Sequence, residues 1–210
     1  MTARTHRRTT LAILAALATS ALMFAADAPA QAPAPAATPS APAAAPVIVT
    51  LETSEGKIVL ELDAEHAPRT VANFVQYVKE GFYAGTIFHR VIPTFMIQGG
   101  GFTTGHAEKP THAPIAIESD NTLHNVRGSI AMARTMNPNS ATAQFFINVV
   151  DNAMLDFPGR DHAGYTVFGR VIEGMDAVDR IRDTPTSNQG GAFVNAPVKP
   201  VVIQKAHLGR

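Results

Sequence analysis

The sequence predicts a mainly β protein whose strands form a single closed antiparallel barrel. Three observations predict it. Short runs rich in valine, isoleucine and phenylalanine recur from Val47 onward, and no repeated strand–helix–strand units link them. Only two segments carry helical spacing. Closure removes exposed strand edges, and two helices are enough to cover the open ends of a barrel. Periodicity taken alone also allows an α+β sandwich.

The elements follow in order. Residues 47–53 are β-rich, 54–57 supply a turn, and 58–63 form the hairpin partner. Val71, Phe74, Val75 and Val78 then fall on one face of a helix over 67–81, which Gly81 closes, with Asn73, Gln76 and Lys79 opposite. Further strands are expected at 87–91, 95–99, 115–118, 129–133, 145–149 and 167–171. Met175, Val178 and Ile181 mark a second helix over 175–182, and 201–204 return as the last strand. The whole amounts to about eight strands and two helices.

The N-terminus has a different texture. Arg4, Arg7 and Arg8 precede 18 uncharged residues, Thr9 to Ala26, and the small residues Ala28-Pro29-Ala30 follow. That order matches a secretory signal peptide over 1–30, cleaved after Ala30. An uncleaved membrane anchor is the minor alternative, because the apolar run sits at the short edge of spanning length. Residues 29–46 contain six prolines and nine alanines, so 31–46 read as a disordered, proline-stiffened linker to a domain at 47–210. The expected location is the periplasm or the exterior, with no membrane contact after cleavage.

Composition excludes several functions. The chain has 210 residues, 17 basic against 17 acidic groups, and no cysteine. Losing residues 1–30 would remove three arginines and one aspartate, leaving 14 basic and 16 acidic groups. This balance gives no electrostatic case for nucleic acid. Without cysteine there is no disulfide, iron–sulfur cluster, thiolate zinc site or thiol nucleophile. The eight histidines form no HExxH motif or close cluster, so neither a metal nor a cofactor is expected. Gly99-Gly100-Gly101 lacks a following GK[ST], and no G-x-S-x-G occurs.

The informative stretch is Phe88-His89-Arg90-Val91-Ile92-Pro93-Thr94-Phe95-Met96-Ile97-Gln98-Gly99-Gly100. It sets an arginine, an aromatic ring, a methionine and an amide close together, beside glycines that permit close backbone approach. On a regular strand His89 points to the face opposite Arg90, where structural hydrogen bonding is expected rather than general-base work. In Gln144-Phe145-Phe146-Ile147, Gln144 and Phe146 share one face while Phe145 and Ile147 take the other.

Together with R-G-S-I-A-M-A-R at 127–134, S-A-T-A-Q-F-F-I-N at 140–148 and Y-T-V-F-G-R-V at 165–171, this stretch resembles the cyclophilin family of peptidyl-prolyl cis-trans isomerases, closely its exported bacterial branch. The resemblance covers about 47–207. It implies an eight-stranded antiparallel barrel with two capping helices and a ligand groove on the outside. It further implies isomerisation of X-Pro bonds by transition-state stabilisation, without a covalent intermediate. The expected partners are proline-containing peptides and unfolded or partly folded exported proteins, and the expected state is a monomer. A peptide-binding chaperone or scaffold using the same groove without turnover is the alternative.

Carried over by resemblance, the family's essential arginine falls on Arg90, with Gln98 beside it as the second catalytic position. The groove falls on Phe95, Met96, Gln144, Phe146 and Leu155, and contacts near the residue before proline fall on Ala133 and Arg134. Arg134 stands where familiar eukaryotic members carry asparagine, Met154 where they carry tryptophan, and Tyr165 where they carry histidine. Met154 and Tyr165 are still expected to contact substrate. Residues 132–144 are one residue longer than in those members. The tryptophan is a cyclosporin contact in the family, so tight cyclosporin binding is not expected.

Overall fold

The computed structural model describes residues 46–210. The leader at 1–30 and all of the 31–46 linker except Pro46 lie outside the described residues. The chain runs through β1 (Val47–Thr53), β2 (Gly56–Leu62), α1 (Pro68–Lys79), β3 (Thr86–Ile92), β4 (Met96–Thr103), β5 (Ser129–Met132), β6 (Phe145–Asn148), β7 (Val167–Glu173), α2 (Met175–Arg182), β8 (Thr186–Ser187), β9 (Ala196–Pro197) and β10 (Val201–Leu208). Eight of these strands close a barrel in the order β1-β10-β3-β4-β6-β5-β7-β2, every pair antiparallel.

Side-chain alternation divides the barrel wall into two surfaces. Leu51, Leu60, Ile97, Ile130, Phe145, Ile147, Phe168 and Ile203 point inward and are fully buried. Helix α1 packs against this interior through Val71, Phe74, Tyr77 and Val78, and α2 through Ala177, Val178 and Ile181. Phe145 meets Phe74 and Tyr83 edge-on, at centroid distances of 5.5 and 5.6 Å. Asn73 departs from the expected polar face of α1. It is buried and donates from Nδ2 to the Thr142 carbonyl at 2.6 Å, which ties the helix to the segment leading into β6.

The expected strand at 115–118 does not form. Ile115 makes a single antiparallel bridge to Ala141, and side chains serve the next backbone donors. Ile117 N–H donates to Asn139 Oδ1 at 2.9 Å and Glu118 N–H to Thr166 Oγ1 at 3.0 Å. The Glu118 carboxylate then accepts from Arg69 N–H and Thr70 N–H at 3.1 and 2.9 Å. Ala67 provides no side-chain cap for α1, so Glu118 supplies it from a distant segment and places negative charge at the positive helix end. A second departure is the two-stranded sheet of β8 and β9, joined through a one-turn 3₁₀ helix, Gly191–Phe193.

Candidate functional site

The outward side chains of β3 to β7 build a second apolar cluster on the barrel's exterior. Met96, Ala131, Phe146 and Val167 are buried there, with Ile92, Phe95, Leu123, Ala133, Leu155 and Tyr165 packed against them. Above this cluster opens a cleft of ≈ 120 Å³, lined by Arg90, Phe95, Met96, Gln98, Ala133, Arg134, Phe146, Leu155 and Tyr165. Residues 65 positions apart in sequence, such as Arg90 and Leu155, thus line one cleft.

The polar edge of the cleft is a short relay. Register places Arg90 opposite Gln98 and Gln98 opposite Phe146. Arg90 Nη1 donates to Gln98 Oε1 over a long 3.5 Å, and Gln98 Nε2 donates to Gln144 Oε1 at 3.2 Å. Among the described residues no acidic side chain lines the cleft, so none of them neutralises the Arg90 charge there. Gln144 does not line the cleft; its role in the relay is to hold the Gln98 amide.

Arg134 lines the cleft but is turned away from open solution. Its side chain is 2% exposed and forms an ion pair with Asp161. Nε and Nη2 donate to the Gly164 carbonyl at 3.0 and 2.6 Å, and Nη1 donates to the Thr135 carbonyl at 3.0 Å. The guanidinium lies 4.3 Å over the Tyr165 ring, which in turn meets Phe146 at 5.7 Å, nearly edge-on. The Arg134 hydrogen bond, followed by the Gly164 amide, holds the Asp161 carboxyl down to about 2. Arg134 therefore braces the cleft wall, with its donors committed to protein groups. Met154 sits in a one-turn 3₁₀ helix, Ala153–Leu155, is 48% exposed, and falls outside the cleft lining.

A buried polar network that the sequence reading missed supports the backbone around Phe95 and Leu155. Asn152 Nδ2 donates to the Phe95 carbonyl at 2.8 Å and to Asn148 Oδ1 at 2.7 Å. Asn148 Nδ2 donates to Asn125 Oδ1 at 3.1 Å and to Ser129 Oγ at 2.9 Å. Asn125 donates from its backbone N–H and Nδ2 to Asp156, the residue after Leu155. The first of these bonds fixes the Phe95 backbone, and Leu155 N–H donates to the Asn152 carbonyl at 2.8 Å. The available signal was modest: pairs of asparagines four apart, at 121 and 125 and at 148 and 152, beside apolar strands.

His89 also departs from expectation. It is buried, yet Nδ1 has no hydrogen-bond partner, and its ring packs on Phe102 at 4.8 Å. A larger hollow of ≈ 460 Å³ lies beside His66, Glu118, Pro138, Phe157 and His162. Its polar groups are partly committed elsewhere, His66 to Asp63 and Glu118 to the start of α1. The smaller cleft joins an unneutralised guanidinium to an apolar pocket, and we take it as the candidate site. Among the described residues no group of three or more His, Asp or Glu side chains is arranged to hold a metal ion.

Comparison with known proteins agrees with the architecture. Residues 48–208 match the family model described as cyclophilin type peptidyl-prolyl cis-trans isomerase/CLD. The chain is 55% identical over 160 residues to peptidyl-prolyl cis-trans isomerase A of Dickeya dadantii, covering 76% of this chain and 83% of that protein. It is 55% identical over 162 residues to the Streptomyces antibioticus isomerase cyp18, covering 76% and 97%. The crystal structure of a Cryptosporidium parvum cyclophilin-type isomerase superposes with a TM-score of 0.66 at 24% identity, covering 79% of this chain and 99% of that one. At that identity the last similarity speaks for the fold alone.

Proposed function

The chain belongs to the cyclophilin-type peptidyl-prolyl cis-trans isomerase family and is an isomerase of X-Pro bonds, and on that premise we propose that the Arg90 cleft is its active site and exported proteins are its substrates. The observation that carries the site assignment is the Arg90 guanidinium, with no acidic neighbour among the described residues of the cleft lining, at the edge of a pocket made by Phe95, Met96, Phe146 and Leu155.

The chemistry required is rotation, not bond cleavage. Amide resonance gives the C–N bond partial double-bond character and a barrier of about 18–20 kcal/mol. At the top of that barrier the proline nitrogen is pyramidal and its lone pair no longer delocalises onto the carbonyl. A guanidinium aimed at that nitrogen favours the localised lone pair, and arginine's rigid fork suits the task. The pocket encloses the proline ring, contributing roughly 1.5–3 kcal/mol by analogy with buried apolar side chains. Binding the planar and twisted forms equally does not lower the barrier. An acceleration of about 10⁵ needs roughly 7 kcal/mol of preference for the twisted form, which preorganised electrostatics can supply. In this reading Arg90 provides that preference, Gln98 and Gln144 orient it, and Arg134 and Tyr165 support the wall near the residue before proline.

Support for exported substrates comes from the N-terminal sequence, with its arginines, apolar run and Ala28-Pro29-Ala30. N-terminal sequencing of the protein recovered from the extracytoplasmic fraction tests this, with a new terminus at Gln31 expected. Recovery only in the cytoplasm with Met1 intact rejects it. The site is tested by Arg90→Ala in a protease-free isomerisation assay. Turnover should fall about 10²–10³-fold while the affinity for a ground-state X-Pro peptide stays within about twofold. Equal losses in turnover and affinity contradict the role given to Arg90.

A further inference from the structure

Between Phe88 and Val91 the alternation of β3 is broken. Both residues belong to the interior cluster although three positions separate them, whereas a regular strand returns to the same face after two or four. The register locates the fault. Phe88 stands opposite Gly99 and Arg90 opposite Gln98, which leaves His89 as an extra residue with no partner on β4. This is a β-bulge, a device that turns successive side chains toward one side and re-aims them. His89 and Arg90 therefore both leave the barrel wall outward, contrary to the alternation expected of a regular strand.

His89 does not line the cleft. Its residue is 2% exposed, with its ring edge-on to Phe102 at 4.8 Å and to Phe193 at 6.2 Å. Phe193 belongs to the turn between β8 and β9, and the nearby Asn195 carbonyl accepts from Val91 N–H at 2.9 Å. The imidazole is thus wedged between the bulge and the excursion that covers it. Burial and, secondarily, the Arg90 charge beside it lower its pKa to about 4, so the ring is neutral at neutral pH. The charged and titratable neighbours are Arg90 on its own strand and His106, stacked on the Phe193 ring at 4.0 Å. From β4 and the 191–193 turn the groups facing it are phenyl rings. A buried ring nitrogen without a partner carries a cost that an apolar ring does not, so filling space does not by itself account for a histidine here.

We propose that His89 is a positioning residue for Arg90, its wedged imidazole holding the bulge that aims the guanidinium into the cleft beside Gln98. The proposal rests on Arg90 being the group that acts on the imide, and the test separates the two. The full-length chain carrying His89→Gln or His89→Phe is compared in the native and Arg90→Lys backgrounds, with kcat and KM for an X-Pro peptide and thermal unfolding of each variant. In the native background either change should lower kcat about tenfold with KM within twofold. In the Arg90→Lys background the same change should cost less than twofold, since there is no aimed guanidinium left to misplace. A native-like kcat in the His89 variants, or an equal loss in both backgrounds, overturns the proposal while leaving Arg90's role intact. A fast Arg90→Lys enzyme instead overturns the reading of Arg90, and this proposal with it. Should the variants not fold, NMR on the native chain decides. The Arg90 Nε–H resonance should titrate together with the His89 ring signals, and an Arg90 signal that ignores the His89 titration rejects the coupling.

Discussion

Adjacent phenylalanines on β6 belong to two different regions of the protein. Phe145 is closed inside the barrel, ringed by Phe74, Tyr83 and Phe88, and the Tyr83 hydroxyl donates to the Ala143 carbonyl at 2.9 Å. Phe146, one residue on, faces the outer cluster, touches Tyr165, and forms part of an open cleft. The interior is held by many apolar contacts. The cleft side adds to its smaller apolar cluster a few specific contacts: a two-amide relay, the Arg134–Asp161 ion pair and a string of asparagines. Beside the cleft the backbone is irregular at the His89 bulge and in the glycines of β4, and the register also shifts at Glu52/Thr53, Val59/Leu60 and Ile130/Ala131. Stability is thus spread over many residues, whereas the shape of the site depends on single contacts.

The sharpest test of that contrast is to truncate each ring in turn. Phe145→Ala leaves a cavity in a tightly packed core and should cost about 3–5 kcal/mol in urea unfolding. Its folded fraction should keep a native KM. Phe146→Ala should cost less stability, roughly 1.5–3 kcal/mol, and raise KM about tenfold. Equal changes in KM for the two variants would mean that the faces of the wall are not independent.

A smaller effect is expected from the Arg134 brace. Lysine is a single point charge and cannot reach Gly164, Thr135 and Asp161 while stacking flat on Tyr165. Arg134→Lys and Asp161→Asn should each raise KM by about three- to tenfold, a change of about 1 kcal/mol in binding, with kcat within twofold. The pH dependence has a definite sign. Because the folded Asp161 carboxyl sits at about 2, below its ordinary value, the ion pair's contribution is complete above pH 3.8 and is lost only as pH falls through about 2. The native KM should therefore not rise through loss of this pair between pH 7 and 4. A KM rise in that interval that is absent from Asp161→Asn would show the carboxyl titrating much higher.

The contrast also explains which features could be read from the chain. The strand at 145–149 is buried on both faces and shows as a short run of Phe, Ile and Val, whereas 201–204 announces itself because it buries one face, Val201 and Ile203. Helix 175–182 was visible for the same reason at its own period. The 115–118 stretch has strand-like residues, but its backbone donors are met by Asn139 and Thr166, partners that no local pattern encodes. Within the cleft, Arg90, Phe95 and Phe146 were found through the family resemblance. The direction of the Arg134 side chain was not, because it depends on Asp161 and Gly164, 27 and 30 residues away. The bulge was equally hidden. A shift of register is a relation between β3 and β4, and His89 looks locally like any alternating strand residue.

Gly101 offers the mildest probe of the exterior. It lies on β4 just past Gly100, whose φ of +84° belongs to the irregular stretch that offsets Thr103 from Gly99 against β3. A methyl group on Gly101 would stand 2.5 Å from Gln144 Cγ and 2.7 Å from its Cδ and Nε2. These atoms belong to a movable side chain, so Gly101→Ala should displace Gln144 and not the barrel, with unfolding free energy within about 1 kcal/mol of native. The displaced amide no longer receives Gln98 Nε2, and Gln98 in turn loses its fixed orientation toward Arg90. The expected result is a loss of about two- to fivefold in kcat/KM, the scale of one neutral hydrogen bond. Adding Gln144→Ala, which removes both the clash and the relay, should then bring no further loss. A double variant much slower than either single one would mean that Gln144 contributes to the cleft by a route other than Gln98.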